Sequence, residues 1–556
     1  MTFLKSILLL ISLSMIAALV ACSSSSSTTP PPPVTGPLPD GNYVFSVAGY
    51  DSFGEDGSQY YVAGSITIAN GAITGGEQDW VDFINGPLMD TITASGSSIT
   101  ASSDGNLIIV LATAGPDTLI GVNGVETFNG TILPASTTSR TFITEFDASA
   151  SGSGELDPQD ISGAAAATPS AGYAFVLGGY DSAIGQFSGD CNVAIGGIIN
   201  VDGSPISGTG SIVDANDCGS GYGFAGMALA NTSVVSAPDA SGRVTFTLDN
   251  GTDSTDFPEI ILAGYIVDSG HIRLVETADT YEGVLGGLAL GQGSNTGTFT
   301  AASAAGTYVT GLIGEDANGV LQVANQVTLT AGTPNTVTGF FDFNDLVDTS
   351  STVAVSPDPV TGDAYTVDAA GAGDITLTNI SDGDVFGTNA QLYLDGNGNA
   401  LAITMDQNDA VSGFGAAQTG AGTFTAASFS GAYGMDVTGW DFNYVGEFDA
   451  VGPVSADGVG TTTGTADVNW VYSAGPTYPD QTVTGTFVAT GTGGTNGVFA
   501  GGSITGLDMT TCPTFTSGAA GCTADVFSYY LLDATGDNIA IETDLNQASL
   551  GLFEQQ

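Results

Sequence analysis

From residue 40 onward, short apolar runs alternate with polar punctuation, and no stretch holds a 3.6-residue period with capping signals long enough for a helix. Extended runs are predicted near 43–50, 60–68, 72–81, 90–100, 106–113, 124–133, 141–146 and 149–156, rich in Val, Ile, Thr, Tyr and Phe. The breaks between them carry turn chemistry: Asn70-Gly71, Asn85-Gly86, Asp104-Gly105 and Asn123-Gly124. Short strands joined by tight turns predict an all-β, antiparallel up-and-down barrel of about eight strands. A barrel of that size is filled by side chains or holds one small ligand.

The pattern recurs. Tyr43-Val-Phe-Ser-Val-Ala-Gly-Tyr-Asp51, Tyr173-Ala-Phe-Val-Leu-Gly-Gly-Tyr-Asp181, Tyr308-Val-Thr-Gly-Leu-Ile-Gly-Glu-Asp316 and Tyr433-Gly-Met-Asp-Val-Thr-Gly-Trp-Asp441 all read Tyr-x-h-x-h-x-Gly-x-Asp, where h is apolar except at Thr310. A second anchor follows about a hundred residues later in each copy: Phe142 to Asp147, Leu274 to Asp279, Ala402 to Asp406 and Ala540 to Asp544. The expected organisation is a leader (1–21), a tether (22–39) and four tandem barrel domains (40–170, 171–304, 305–429 and 430–556). Within each motif the Tyr, h, Gly and Asp positions alternate, so they share one strand face. The intervening residues (Val44, Ser46, Ala48) are expected on a partly wet outer face. A Gly at the sixth step in every copy suits a sharp bend or a close backbone approach.

The first residues differ from the rest. Lys5 followed by the apolar stretch Ile7 to Val20, too short to span a bilayer, reads as a signal peptide. Its end, Leu19-Val20-Ala21-Cys22, resembles the lipobox of bacterial lipoproteins. That resemblance implies cleavage before Cys22, acylation of Cys22 and a lipid anchor in the membrane. Ser23 in place of Asp implies the outer membrane or cell surface of a two-membrane bacterium. Ser23 to Pro39, with its Ser run and Pro30 to Pro33, is a tether reaching roughly 50 Å. The repeats also resemble uncharacterised surface lipoproteins with tandem β-repeats that open on Gly-x-Tyr-x-Phe, here Gly41-Asn-Tyr-Val-Phe45. This resemblance implies location and architecture and brings no activity with it.

Charge narrows the function classes. There are 58 Asp+Glu against 4 Lys+Arg, a formal net charge of -54, and a nucleic-acid partner is excluded by repulsion. With Lys5 in the leader, the mature chain has no lysine for a P-loop or Schiff base. No catalytic motif of a serine hydrolase, zinc protease or dinucleotide enzyme is present. No catalytic residue, metal site or cofactor is assigned beyond weak, diffuse calcium binding by the acidic surface. Four cysteines besides Cys22 allow three pairings. The economical one joins Cys191 to Cys218 and Cys512 to Cys522, worth roughly 3–4 and about 3 kcal/mol in the chain-entropy account.

Asp51, Asp181, Asp316 and Asp441 are the candidate binding residues, a carboxylate at each barrel mouth being able to hold a cation or a sugar hydroxyl. The bland alternative is an Asx-turn at a strand end. Asp395-Gly-Asn-Gly-Asn399 reads as a hairpin turn and lacks the Gly and Glu of a calcium loop. His271 is expected at a turn or strand start, and Arg140 and Arg273 in pairs with carboxylates. Trp440-Asp-Phe-Asn-Tyr444 and Asn469-Trp-Val-Tyr472 either pack in barrels or stack on sugars. The expected function is a membrane-anchored, surface-exposed, non-catalytic protein in adhesion, envelope structure or matrix and glycan interaction. A lipocalin-like small-ligand barrel and a carboxylate-dependent glycoside hydrolase are the alternatives.

Overall fold

The computed structural model describes residues 38–51, 58–83, 85–101, 106–115, 124–133, 140–180, 192–201, 206, 210–217, 223–251, 259–278, 283–316, 319–347, 351–361, 364–378, 389–405, 409–441, 446–470, 477–489, 496–505, 507, 525–543 and 547–556. The signal peptide, the lipobox with Cys22, the tether up to residue 37, Cys191, Cys218, Cys512, Cys522 and Asp181 lie outside these residues.

Each of the four repeats folds as one antiparallel sheet whose strands follow chain order. Repeat 1 is a closed eight-stranded barrel: Gly41–Asp51, Ser58–Ala69, Ala72–Asp82, Gly86–Ala101, Asn106–Thr113, Val125–Ile132, Thr141–Glu145 and Ala150–Pro158. These strands match the runs read from the sequence to within a few residues. Repeat 4, from Ser430–Asp441 to Gln547–Gln555, also closes. Repeats 2 and 3 are nine-stranded sheets in the same cyclic order, and both part at one place. In repeat 2 this lies between Gly223–Ala228 and Val234–Val235, and in repeat 3 between Ser351–Thr361 and Ala364–Val367.

Local chemistry explains the elements. Asn70 and Gly71 both take positive φ (55° and 71°), the backbone of a twisted two-residue hairpin, and their N–H groups donate to the Asp40 carboxylate at 2.8 and 3.0 Å. The segment from Asp395 is likewise a hairpin turn, its Oδ1 accepting from the N–H groups of Asn397 and Asn399 at 2.7 and 2.9 Å. The motif glycine permits a close approach in every copy. A Cβ would stand 2.0 Å from the Ser151, Val284 and Ala410 carbonyl oxygens at Gly49, Gly179 and Gly314, and 2.4 Å from that of Ala548 at Gly439.

The motif's Tyr and h residues point into the barrels. Tyr43, Phe45 and Val47 join Tyr60, Trp80 and Phe128 in the first interior, and Tyr433, Met435 and Val437 fill the fourth. Repeats 2 and 3 have interiors of the same make-up.

The outer face corrects the expectation from sequence. Val44 and Ala48 are as buried as the inward residues, because outer faces of all four repeats, the first strands of repeats 1 to 3 among them, meet in one further core. That core holds Val44 and Phe142 from repeat 1, Val176 and Leu288 from repeat 2, Val309 and Phe414 from repeat 3, and Val451 and Leu552 from repeat 4. The array is therefore not a string of separate beads.

Contacts between neighbours run head to tail. The second and third strands of repeat 1 pack on the last two of repeat 2, His271–Ala278 and Val284–Gly291. Repeat 2's Val193–Val201 packs on repeat 3's Asn399–Thr404 and Asp409–Ala417. Repeat 3's Gly319–Thr330 packs on repeat 4's Asn538–Glu542 and Gln547–Gln555. Repeat 4's Gly446–Asp457 then packs on the last three strands of repeat 1. The rotation closes, giving an intrachain ring with approximate fourfold symmetry.

Candidate functional site on the ring axis

The seams that close the ring are built from residues at matching register positions. Each repeat ends in a glutamine, Gln159, Gln292, Gln418 or Gln556, whose backbone N–H donates to the residue before its own motif tyrosine. The four side-chain amides reach into the next repeat and donate to the carbonyls of Ile266, Leu394, Leu531 and Ile132 at 2.8, 2.7, 2.6 and 3.2 Å.

Third strands add an Asp-x-Asn pair. The buried carboxylates of Asp79, Asp214 and Asp342 accept from the phenols of Tyr265, Tyr393 and Tyr530 in the next repeat at 2.6, 2.8 and 2.7 Å. At the closing seam Asn129 donates to Asp467 at 2.9 Å. Two residues on, Asn216, Asn344 and Asn469 cap backbone carbonyls beside the last hairpin of the next repeat, Asn469 reaching Glu145 and Ala150 at 2.6 and 2.7 Å. Repeat 1 carries Val81 there, and its seam uses a cation instead, Arg243 bonding Asp79 through two nitrogens at 2.5 and 2.8 Å. Burial raises the Asp214 carboxyl to about 6 against the lowering bonds from Gly226 and Tyr393, and burial, then the Asp214 charge, raise the Tyr393 phenol well above its ordinary range.

A polar island interrupts the shared core where repeats 1, 2 and 4 meet. Ser151, Ser153, Glu155 and Asp157 alternate along the last strand of repeat 1 and face outward into it. Arg140 pairs with Glu155 and, at 2.9 Å, with Glu554 of repeat 4, and Arg273 of repeat 2 bonds Glu155 at 2.6 Å and also Asp157. Next to it Asp449 accepts from Ser151 at 2.5 Å, and Asp436 from Ser153 at 3.4 Å. Burial pushes Asp449 up to about 7 and, with Asp449 and Glu155 nearby, Asp436 well above the carboxylate range. The positions matching Glu155 in the other repeats are Leu288, Phe414 and Leu552, each likewise paired across to the fourth motif residue of its first strand.

At one end of the axis all four repeats contribute to a small pocket. It is lined by Tyr50, Asn192, Glu315, Gln322, Trp440 and Glu447, among others. Tyr50, Glu315 and Trp440 occupy one position of the motif, between its Gly and its Asp, and are only partly buried, so they form the mouth. Gln322, Glu447 and Asn192 are 1%, 3% and 6% exposed and form the floor. The Tyr50 and Trp440 rings meet edge to face at 5.2 Å, and the Tyr50 N–H donates to Glu447 at 2.6 Å. Burial, then Asp449, raise the Glu447 carboxyl well above its ordinary range. Among the described residues the Oε1 of Gln322 has no hydrogen-bond partner. The void measures about 20 Å³, room for a water-sized group.

The described motif aspartates, Asp51, Asp316 and Asp441, are not at this site. Asp51 and Asp441 are buried at strand ends on the barrel-interior side, and Asp316 accepts from the Gly319 N–H at 3.0 Å in a turn. They are kept apart, one to a barrel, because their strand face turns away from the axis. The residue just before each Asp was the one to watch: a large side chain (Tyr50, Tyr180, Glu315, Trp440) recurs there on a face otherwise lined by small and aliphatic groups. His271 starts a strand, buried, with Nδ1 2.8 Å from Asp268. Trp470 packs inside the fourth barrel. Among the described residues no group of three or more His, Cys, Asp or Glu is placed to hold a metal ion, and no helix is long and apolar enough to cross a membrane.

No protein-family model matches the chain, and no curated protein matches it. Among solved structures, an AttH-like protein of Nitrosomonas europaea is similar over 45% of this chain and 92% of its own, at 11% identity and a TM-score of 0.16.

Proposed function

We propose that the protein is a lipid-anchored, surface-exposed, non-catalytic binding module acting in adhesion, envelope structure or matrix and glycan contact. In this reading Cys22 carries the acyl chains, the Ser/Pro segment is the tether, and Cys191–Cys218 and Cys512–Cys522 are disulfides formed after export. The observation that carries it is the closed ring with filled barrels, a body that presents a broad continuous surface. A void of about 200 Å³ between repeats 2 and 3 is lined by Ile198, Asn200, Gln292, Thr296 and Ala372 among others, with no acid, base or nucleophile pair for catalysis among the described residues. The void inside repeat 3, lined by Thr310, Leu312 and Asn325, is only about 20 Å³, which disfavours a lipocalin-like carrier. The axial pocket does pair two acids with aromatic rings, as a glycoside hydrolase would, but a void of about 20 Å³ admits no sugar ring.

Two measurements test the proposal. Fatty-acid labelling of expressing cells should mark the wild-type chain and not Cys22→Ser. Cells displaying the protein should bind a glycan or matrix polymer above the level of cells displaying none. Loss of either result, unlabelled wild type or no binding with and without calcium, rejects the corresponding half.

A further inference from the structure

We infer that the axial pocket is a binding site for a primary ammonium group carried on an alkyl arm, such as the end of a diamine or polyamine. The inference rests on the non-catalytic binding reading and names the chemistry that this pocket would take.

Four independent features converge on that chemistry. First, the lining offers acceptors: the carboxylates of Glu315 and Glu447 and the amide oxygen of Gln322. An ammonium has three donors and no acceptor, so three oxygens in one small void suit it. Second, the unpartnered Gln322 Oε1 is buried in the pocket, a cost that a bound donor removes. Third, two aromatic rings, Tyr50 and Trp440, stand at the mouth, where a cation or its α-carbon gains contact with ring faces or edges. Fourth, the size is right: about 20 Å³ accommodates one water-sized group such as an ammonium, its alkyl arm lying outward through the mouth, and neither a sugar ring nor a quaternary ammonium.

The rest of the molecule strengthens the case. A net charge of -54 draws cations toward any opening, and no lysine follows Lys5 in the chain to compete as an internal ligand. Among the described residues, floor residue Glu447 accepts the Tyr50 N–H and lies near Asp449 and the phenols of Tyr50 and Tyr60, with no cation beside it, and an entering ammonium supplies that counter-charge. The site exists only in the closed ring, because Tyr50 comes from repeat 1, Asn192 from repeat 2, Glu315 and Gln322 from repeat 3, and Trp440 and Glu447 from repeat 4.

The test uses the full chain in detergent micelles and follows tryptophan fluorescence. Trp440 is the part-buried one, and Trp80 and Trp470 are buried in barrel interiors. Butylammonium and putrescine should give a saturable change that is absent in Trp440→Phe. Glu447→Gln and Glu315→Gln should each weaken binding about tenfold or more, the scale of a lost charge-assisted bond, while calorimetry of Trp440→Phe still detects binding. Tetramethylammonium, glucosamine and potassium chloride at equal ionic strength should give no saturable change. A wild-type chain that is indifferent to butylammonium overturns the inference, as does equal affinity in the Glu447→Gln/Glu315→Gln double variant. Glucosamine binding as well as butylammonium overturns the alkyl-arm specificity. Unchanged circular dichroism in each variant shows that the ring is intact. Failure here leaves the Cys22 labelling and adhesion results untouched, so the two readings fail separately.

Discussion

Arg273 is the most informative residue to change. It lies wholly buried in the polar island, bonding Glu155 and Asp157 across the seam between repeats 2 and 1, while its Nε and Nη1 have no partner among the described residues. The structurally matching residues are Phe142, Leu401 and Ile539, so the fold itself accepts an apolar side chain there. Arg273→Leu leaves three carboxylates, Glu155, Asp157 and Glu554, to share the single guanidinium of Arg140. Breaking one side of such a buried cluster costs about 3–5 kcal/mol. Adding Glu155→Leu, the residue found at the matching position in repeats 2 and 4, removes the stranded carboxylate and restores the island's original charge balance. The double variant should return to within about 1 kcal/mol of wild type or exceed it, as apolar replacements of buried ion pairs do. A double-mutant cycle on urea-unfolding midpoints, with circular dichroism and Trp80 fluorescence as probes, then gives a coupling of about 3 kcal/mol. A single variant costing under about 1 kcal/mol, or a double variant no better than the sum of the singles, would refute the account of the island as a charge cluster on an otherwise apolar seam.

The other predictions concern the seams and their protons. The folded chain holds protons on Asp214 and Asp345 to about 6, on Asp449 to about 7 and on Asp374 to about 8, whereas an unfolded Asp releases them near 3.8. Their contribution is present on the acid side and is lost as pH rises from 3.8 through these values, so Tm should be higher at about pH 5 than at about pH 8.5. A Tm that climbs across that interval contradicts the burial of these carboxyls. Asn469→Ala removes two donated bonds to buried carbonyls and should cost about 2 kcal/mol in a thermal or urea melt, with Asn469→Asp no better because the donor is still missing. Repeat 2 expressed alone (residues 171–304) exposes Val176, Leu288 and the rest of its share of the common core. It should self-associate or bind an apolar dye, and a monodisperse, dye-silent monomer would restore the beads-on-a-string picture.

Much of the fold could be read from the sequence because strand alternation and turn residues are local. Asn70-Gly71 and Asp395-Gly-Asn-Gly-Asn399 set their hairpins by backbone chemistry alone. The motif tyrosines face the barrel interiors because a strand has only two faces, and one of them is marked by the recurring h residues. The ring was less visible. Runs such as Ile260-Ile-Leu-Ala-Gly-Tyr-Ile-Val267 and Val284-Leu-Gly-Gly-Leu-Ala-Leu290 are apolar on both faces, the mark of strands buried on both sides. Their second face needed a partner, and the partner is the neighbouring repeat. The seam residues Asp214-Ala-Asn216, Asp342-Phe-Asn344 and Asp467-Val-Asn469 do recur in three of the four repeats, on the third strand of each. Their meaning depends on contacts between residues far apart in the chain, as in Asn344 with Gln547, which no local pattern encodes. The axial pocket was hidden for the same reason, each repeat supplying only a fragment of it.

The head-to-tail seam carries a consequence for origin and assembly. A single module bearing both halves of such a seam closes as a homotetramer, and it comes apart on dilution. Joining four modules in one chain raises their mutual effective concentration to roughly the millimolar range for short linkers, so the ring does not depend on the protein's concentration. Fusion also frees each module to diverge. A homotetramer would have to repeat Arg273 and Glu155 at every seam, with four buried charge clusters around one axis. The fused chain places that cluster once, where repeats 1, 2 and 4 meet.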